Sequence, residues 1–351
     1  MIKIRSAASS YALRDIAREL NLRDEAPVVI GLINNMPDAA LQATERQFCD
    51  LLAEASQDLL IWLRFFWMPN VPRSEAGRAY VSHHYEHLNE LLSDRLDGLI
   101  VTGAEPRAPS LSDEPYWPSI TRVVDWADDH TISTIWSCLA AHAAVLHLDG
   151  IQRRPLSNKL SGVFACVKVA DHGVISGTPA EWWVPHSRYN DVPEQELVSS
   201  GYCILSRSPE VGADLFIKQR MNLSIYLQGH PEYDAEALFR EYRRDIREFV
   251  AGERNSYPDM PRGYFDHETA AELDQFRLQT LHDRNTQVSL HFPEAEKKLT
   301  HAWHESAVRL YTNWLSYLVE HRHRGDRSKV PPPNPAAGGC VSRMGADSQA
   351  T

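Results

Sequence analysis

The amino-acid sequence predicts an α/β fold, a doubly wound parallel sheet with added antiparallel strands and a C-terminal helix. Two observations carry the prediction. Between residues 27 and 148, continuous apolar runs of strand length alternate four times with stretches of helical spacing, and uninterrupted apolar strands belong to parallel sheets covered on both faces. After Gly150 the pattern gives way to short runs parted by turn residues, as in antiparallel strands that extend a sheet or cover its edge.

Taken in order, residues 1–24 read as an N-terminal helical extension, with an amphipathic stretch over 11–20. A first strand over 27–33 ends in the turn Asn34-Asn35-Met36-Pro37-Asp38, and 39–55 then has helical spacing. A second strand over 59–66 leads to a second helix over 83–92, and a third strand over 96–101 closes at Thr102-Gly103-Ala104. The helix of 120–128 has Pro118 and Ser119 as its start signal. Residues 132–136 are β-branched and aromatic, a buried strand, and 139–148 are alanine-rich, a helix. Short strands follow at 162–169, 174–175, 202–206, 213–218 and 223–227. A long helix occupies 235–250, a loop with Pro258 and Pro261 runs over 253–266, and a last amphipathic helix over 301–321 carries Trp303, Leu310, Trp314 and Leu318. The periodicity does not decide whether Trp303 and Trp314 serve a core or an interface. One domain therefore spans 25–322. From 323 to 351, prolines, glycines and small polar residues cannot bury enough apolar surface to offset their ordering entropy, so this stretch, Cys340 included, is expected to be a disordered tail.

Apolar residues make up 43% of the 351 and charged residues 24%, the balance of an ordinary globular protein. A formal charge of −11 leaves nothing to neutralise phosphates in bulk, which argues against a nucleic-acid partner. No apolar run approaches membrane-spanning length, and Met1-Ile2-Lys3-Ile4-Arg5 lacks the apolar core of a signal peptide. The expected location is cytoplasmic, without a membrane partner. Five scattered cysteines with no Cys-x-x-Cys give neither a disulfide framework nor a zinc knuckle.

The chemistry concentrates at two places. Cys138 falls on the turn between the strand of 132–136 and the following helix. Such a turn lifts a side chain out of the sheet at its carboxyl edge and aims the helix amino terminus at it. That terminus favours a thiolate, and its free backbone N–H groups, Leu139 first, suit an oxyanion. The plainer alternative is a small buried apolar cysteine. Further on, the strand of 223–228 runs into Gly229-His230-Pro231-Glu232-Tyr233-Asp234. In extended chain His230 and Glu232 point to one side, with Pro231 stiffening the link, so imidazole and carboxylate form a general base with its partner. The alternative there is a surface turn with a casual ion pair.

Seven blocks in order, Asn35-Met36-Pro37, residues 97–104, Tyr116-Trp117-Pro118, Lys159-Leu160-Ser161-Gly162-Val163, His186-Ser187-Arg188-Tyr189, residues 229–234 and Thr312-Asn313-Trp314-Leu315, resemble the homoserine O-acyltransferases of methionine biosynthesis. These are built on a glutamine-amidotransferase-like (flavodoxin-like) fold, and the likeness runs from about Val28 to Val319. It implies that 25–322 is an acyltransferase domain moving succinyl or acetyl from coenzyme A to the hydroxyl of L-homoserine. It implies further that Cys138 accepts the acyl group, His230 is its base, Glu232 orients the histidine, and Lys159, Ser187 and Arg244 contact substrate. Acyl-CoA is then a co-substrate, no cofactor or metal is permanently bound, the kinetics are ping-pong, and the assembly is a homodimer. Taken without the resemblance, Lys159, Ser187 and Arg244 read as solvated surface polarity.

The chain departs from the family pattern in two places. Leu139 and His142 stand where the family has tryptophan and glutamine; His142, one helical turn from Cys138, either competes with His230 for the sulfur or is a hydrogen-bonded core histidine. In the loop after Gly103, the position that separates succinyl users (small) from acetyl users (acidic) is Arg107, whose cation suits the distal carboxylate of a succinyl group. The departures leave the acceptor open, because serine is homoserine less one methylene, worth only about 1–3 kcal/mol of discrimination. Other readings are a glutamine amidotransferase or cysteine hydrolase, against which Trp136 and Ala140 stand where small glycines belong, and a non-catalytic relative, against which Cys138, His230 and Glu232 are all present. A metal enzyme built on His83, His84 and His87 has only two histidines at helical spacing and no recognisable third ligand.

Overall fold

Continuous apolar strands need cover on both faces, and the chain supplies it with helices on either side of one sheet. The computed structural model describes residues 2–5, 26–282 and 299–322. Its strands in chain order are β1 (Ile2–Arg5), β2 (Val28–Ile33), β3 (Ile61–Trp67), β4 (Glu86–His87), β5 (Gly98–Val101), β6 (Ser133–Ser137), β7 (Arg154–Lys168), β8 (Glu181–Asp191), β9 (Cys203–Ser208), β10 (Gly212–Gln219) and β11 (Leu223–Leu227). The helices are α1 (Leu41–Ala55), α2 (Glu75–His84), α3 (Leu88–Leu92), α4 (Trp117–His130), α5 (Leu139–Asp149), α6 (Glu194–Ser199), α7 (Ala237–Val250), α8 (His267–His282) and α9 (His304–Arg322).

All eleven strands join one sheet in the order β1-β3-β2-β5-β6-β11-β10-β9-β7-β8, with β4 beside β3. From β1 to β11 the pairing is parallel, and from β11 to β8 it is antiparallel. The run β3-β2-β5-β6-β11 is the second-first-third-fourth-fifth order of flavodoxin-like sheets, whose direction of winding reverses between β2 and β5. Ligands are expected in the crevice at such a reversal, outside the carboxyl ends of the strands.

Successive residues on each parallel strand serve opposite faces. Leu32, Ile135 and Ile225 pack with Phe48 and Leu52 of α1 and Trp314 and Leu315 of α9. Their neighbours Ile33, Trp136 and Tyr226 pack with Val123 and Val124 of α4 and Ala141 and Ala144 of α5. The period of two that one strand imposes therefore feeds two cores at once. Trp314 donates from Nε1 to Ser133 Oγ at 3.0 Å and Trp303 to the Tyr233 carbonyl at 2.8 Å, so both tryptophans belong to the interior of the chain. Among the described residues no helix is long and apolar enough to cross a membrane.

Several expectations change. Within 1–24 the alternating Ile2-Lys3-Ile4-Arg5 forms an edge strand on β3 rather than part of a helical extension. The helix expected over 11–20 and the tail of 323–351 lie outside the described residues. The helix expected over 83–92 is broken: Tyr85 is extended, Glu86–His87 pairs with β3, and α3 then starts under a His87 cap. Tertiary contacts outweigh periodicity there, for Tyr85 is buried on Asn34 and Glu45, and Glu86 forms a two-pronged pair with Arg64 at 2.9 and 2.7 Å. Residues 173–175 make a 3-10 turn where a strand was expected. β8 escapes sequence reading because Pro185 interrupts it, and proline is tolerated because β8 is the last strand of the sheet. α8 escapes because its buried stripe, Thr269, Leu273, Phe276 and Thr280, is half threonine.

A close helix-to-sheet approach tests this packing. A Cβ on Gly98 of β5 would lie 2.8 Å from both Leu318 and Trp314 of α9. Gly98→Ala is therefore expected to destabilise the fold by about 1–3 kcal/mol, as overpacking does. Urea denaturation checks this, and an unchanged midpoint would mean that α9 is not pressed onto the sheet.

Candidate active site

β6 carries Ser133 to Ser137 through the middle of the sheet, and the chain must then turn at once to start α5. Cys138 makes the turn with φ 52° and ψ −114°, a conformation a non-glycine residue rarely holds. Its N–H donates to the Leu227 carbonyl at 2.7 Å, and its own carbonyl accepts from the N–H of Ala141 at 3.0 Å and of His142 at 3.3 Å. Strand pairing fixes one side of the residue and helix start the other. The thiol is free and half-buried, at a helix end whose first N–H groups have no partner within the helix. Gly103, after β5, is pressed against this turn: a Cβ there would come within 2.8 Å of Leu139 Cβ and 3.0 Å of its nitrogen.

β11 ends at Leu227 and leads to the second turn. Gln228 donates its N–H to the Asp214 carbonyl of β10 at 2.9 Å, and His230 donates to the Pro185 carbonyl of β8 at 2.8 Å. The segment is not extended, as the sequence suggested, but closed by Tyr233 N–H to the His230 carbonyl at 3.1 Å. The imidazole and carboxylate still meet, with His230 Nδ1 2.8 Å from Glu232 Oε1 and both side chains buried. That leaves Nε2 for the Cys138 sulfur, with which the ring hydrogen-bonds. Burial disfavours the imidazolium, but the Glu232 carboxylate and the Cys138 sulfur outweigh it and hold the His230 pKa well above its ordinary value. Cys138, His230 and Glu232 thus form one hydrogen-bonded line, as a nucleophile, a base and its orienting acid do.

Three other candidates converge as well. Lys159 Nζ lies 2.9 Å from Asp245 Oδ2 and 3.2 Å from Glu241 Oε2, and Ser187 Oγ donates to the same Glu241 oxygen. Arg244 donates to Asp245 Oδ1 at 2.9 Å while its side chain stays 44% exposed, open to a ligand. Burial pulls the Lys159 pKa down and those of Glu241 and Asp245 up, but their mutual attraction wins, so Lys159 is raised and both acids lowered. Tyr233 joins this cluster to the Cys138–His230–Glu232 line: it stacks on His230, centroids 4.3 Å apart, and donates to Glu241 Oε1 at 2.5 Å. Sequence reasoning missed Tyr233, Glu241 and Asp245 as site residues. A charged Asp245 on the otherwise apolar buried stripe of α7, with Ile246 and Phe249, was the available signal.

Other candidates fall elsewhere. His142 is buried with Nε2 2.9 Å from Gln228 Oε1, and burial pushes its pKa down to about 3. It is a neutral core histidine. Arg107 is exposed, its loop held by Glu114 Oε1, which accepts from the N–H groups of Arg107 and Ala108 at 2.6 and 2.7 Å. His83 and His87 do not share a helix, since α2 ends at His84. Among the described residues one buried trio has ligand atoms within 4.8 Å of one another, Cys166, His186 and Asp214. Arg188 Nε donates to His186 Nδ1 at 3.4 Å, so Nε2 carries the proton and faces Asp214 Oδ1 at 3.3 Å. A nitrogen that bears hydrogen offers no lone pair to a metal, and the trio does not fit one.

A homoserine O-succinyltransferase of Methylorubrum extorquens is 48% identical over 83% of this chain and 87% of its own. One from Bradyrhizobium japonicum is 45% identical over 89% and 96%. A solved glutamine amidotransferase from Thermotoga maritima superposes with a TM-score of 0.47 at 12% identity, over 84% of this chain and all of its own. The model of the homoserine O-succinyltransferase family matches residues 14–324, a span that holds the Cys138 turn, the His230 turn and the α7 cluster together. The chain therefore belongs to the homoserine O-succinyltransferase family and is a transferase.

Proposed function

We propose that the protein moves a succinyl group from succinyl-CoA to the side-chain hydroxyl of L-homoserine through an acyl-enzyme on Cys138, a step of methionine biosynthesis. The observation that carries this reading is the line Cys138–His230–Glu232 at the carboxyl edge of the sheet in a chain of this family. The Cys138 sulfur attacks the thioester carbonyl. The oxyanion so formed is held by backbone N–H groups at the start of α5, Leu139 first. As the tetrahedral adduct collapses, the carbon–sulfur bond to coenzyme A breaks and imidazolium His230 gives its proton to the leaving thiolate.

Homoserine then enters. Its hydroxyl gives a proton to His230, its oxygen attacks the acyl-enzyme, and the Cys138 sulfur leaves. Arg244, exposed yet anchored on Asp245, grips the amino-acid carboxylate in two parallel hydrogen bonds. Lys159 and Ser187 face the same substrate from β7 and β8. Arg107 pairs with the distal carboxylate of the succinyl group. Acyl-CoA acts as a co-substrate, and the scheme needs no resident cofactor.

Thiol release from succinyl-CoA and acetyl-CoA, with L-homoserine, L-serine or water as acceptor, tests the reading. Release that requires both Cys138 and L-homoserine, with parallel lines in double-reciprocal plots, is the expected result; consumption of neither donor overturns it. In Glu232→Gln, kcat is expected to fall by about 10²- to 10⁴-fold. The limb of the pH profile set by His230 should move to lower pH, because the carboxylate that raises its pKa is gone. An unmoved limb would detach Glu232 from the base. Arg107→Glu is expected to lower turnover of succinyl-CoA more than that of acetyl-CoA, and equal losses would remove Arg107 from acyl recognition.

A further inference from the structure

The loop after β5 starts at Gly103, which is pressed against Leu139 of the nucleophile turn, and reaches Arg107 four positions on. Its Ala104, Glu105 and Arg107 help to line a pocket at the reversal point of the sheet. Glu105, Pro106 and Arg107 are exposed, and an exposed stretch of this kind has few contacts of its own to hold it. This one is held from the protein side by a buried carboxylate. Glu114 is 2% exposed, and its Oε1 accepts from the N–H of Arg107 at 2.6 Å and of Ala108 at 2.7 Å. Hydrogen bonds this short to an ionised acceptor are the strong kind. Glu114 is itself fixed through its backbone, its N–H on the Leu111 carbonyl at 3.2 Å and its carbonyl accepting from the Trp117 N–H at 2.9 Å. Arg153 adds a second hold, with Nη2 reaching the carbonyls of Ala108 and Pro109 at 3.5 and 3.3 Å.

Burial of a carboxylate is costly without partners, and Glu114 takes its partners from the peptide groups of the loop, not from the Arg107 guanidinium. Its charge is opposed by that of Arg153 instead. Among the described residues no acid pairs with the Arg107 side chain, so the loop carries an unpaired cation on a tethered backbone. We infer that Glu114 is a positioning residue for acyl selection, holding the Arg107 loop in the conformation that presents the guanidinium to the distal carboxylate of the succinyl group. The inference rests on the acyl-CoA reading above and on the role given there to Arg107. Its physical content is preorganisation. A loop ordered only when the carboxylate arrives loses conformational entropy at that moment, and the loss is subtracted from the ion pair. A loop clamped during folding avoids it. A donor without a distal carboxylate never engages Arg107 and gains nothing from the clamp.

The test compares succinyl-CoA with butyryl-CoA, which has the same chain length and no distal carboxylate, with L-homoserine as acceptor. Glu114→Gln keeps the shape of the side chain and removes its charge. It should lower kcat/KM for succinyl-CoA by about tenfold, chiefly through KM, and change that for butyryl-CoA by less than about twofold. Arg107→Ala should act on the same donor. Adding Glu114→Gln to it should lower succinyl-CoA turnover no further, since the clamp works only through the guanidinium. Arg153→Met, which releases the two loop carbonyls, should move the donor preference in the same direction and carries the test if Glu114→Gln does not fold. Equal losses on both donors, or additive losses in the double variant, would mean that Glu114 supports only the fold, and would overturn the inference. If Arg107→Ala leaves the preference for succinyl-CoA intact, the role of Arg107 has failed and the clamp falls with it. If the wild type consumes no thioester at all, the acyl-CoA reading itself has failed, an outcome the donor pair tells apart.

Discussion

Everything in the site depends on the backbone of one residue, Cys138, held where an L-amino acid resists going. A conformation of this kind costs on the order of 1–3 kcal/mol and persists only where its surroundings over-determine it. Here they do. β6 is paired on both sides, to β5 and β11, so the strand cannot rotate, and α5 must begin immediately to bury its alanines against α4. The same two neighbours deliver the rest of the machinery: the loop after β5 brings Gly103 to the helix start, and the turn after β11 brings His230 to the sulfur. Strand order, rather than nearness in sequence, assembles the site.

Charge is organised around that point in two connected layers. The first is His230 with Glu232, sealed from solvent, where burial works against ionisation and the carboxylate reverses the outcome. The second is Lys159, Glu241, Asp245 and Arg244, two cations and two anions arranged so that each acid has a cation within about a hydrogen bond. A buried pair seldom adds much stability against an apolar replacement, but removal of one partner leaves an uncompensated charge. Glu241 and Asp245 have depressed pKa values, so their contribution to stability is present above the ordinary carboxylate range and lost as pH falls through their folded values. Tyr233 couples the layers, since its ring lies on the imidazole and its hydroxyl on Glu241.

Those parts of the fold that obey a local period were legible in the sequence. The parallel strands β2, β3, β5 and β6, the helices α1, α4 and α5 and the elbow at Cys138 each follow from apolar runs and helical spacing within a few residues of their observed limits. The parts set by tertiary contact were not. Tyr85 and Glu86 leave a helical pattern because Asn34, Glu45 and Arg64 hold them, and β8 accepts Pro185 because no further strand pairs beyond it. Glu232 was legible because it sits two residues from His230; Glu241 was not, because its partners come from β7, β8 and the His230 turn. His142 shows the reverse case. Helical spacing placed it beside the nucleophile, and the decisive contact was a buried glutamine on another element.

The order of the strands also decides what surrounds the sulfur. Cys138 stands after β6, between the reversal point on one side and the antiparallel extension on the other. Loops after β2, β3 and β5 build a polar pocket, while β7, β8 and α7 build an ionic cluster with an exposed guanidinium. On one flank of Cys138 the polar loops meet the reversal point of the sheet; on the other the ionic cluster of α7 meets the antiparallel extension, and the His230 turn belongs to that side because it is pinned to β8 and β10 at once.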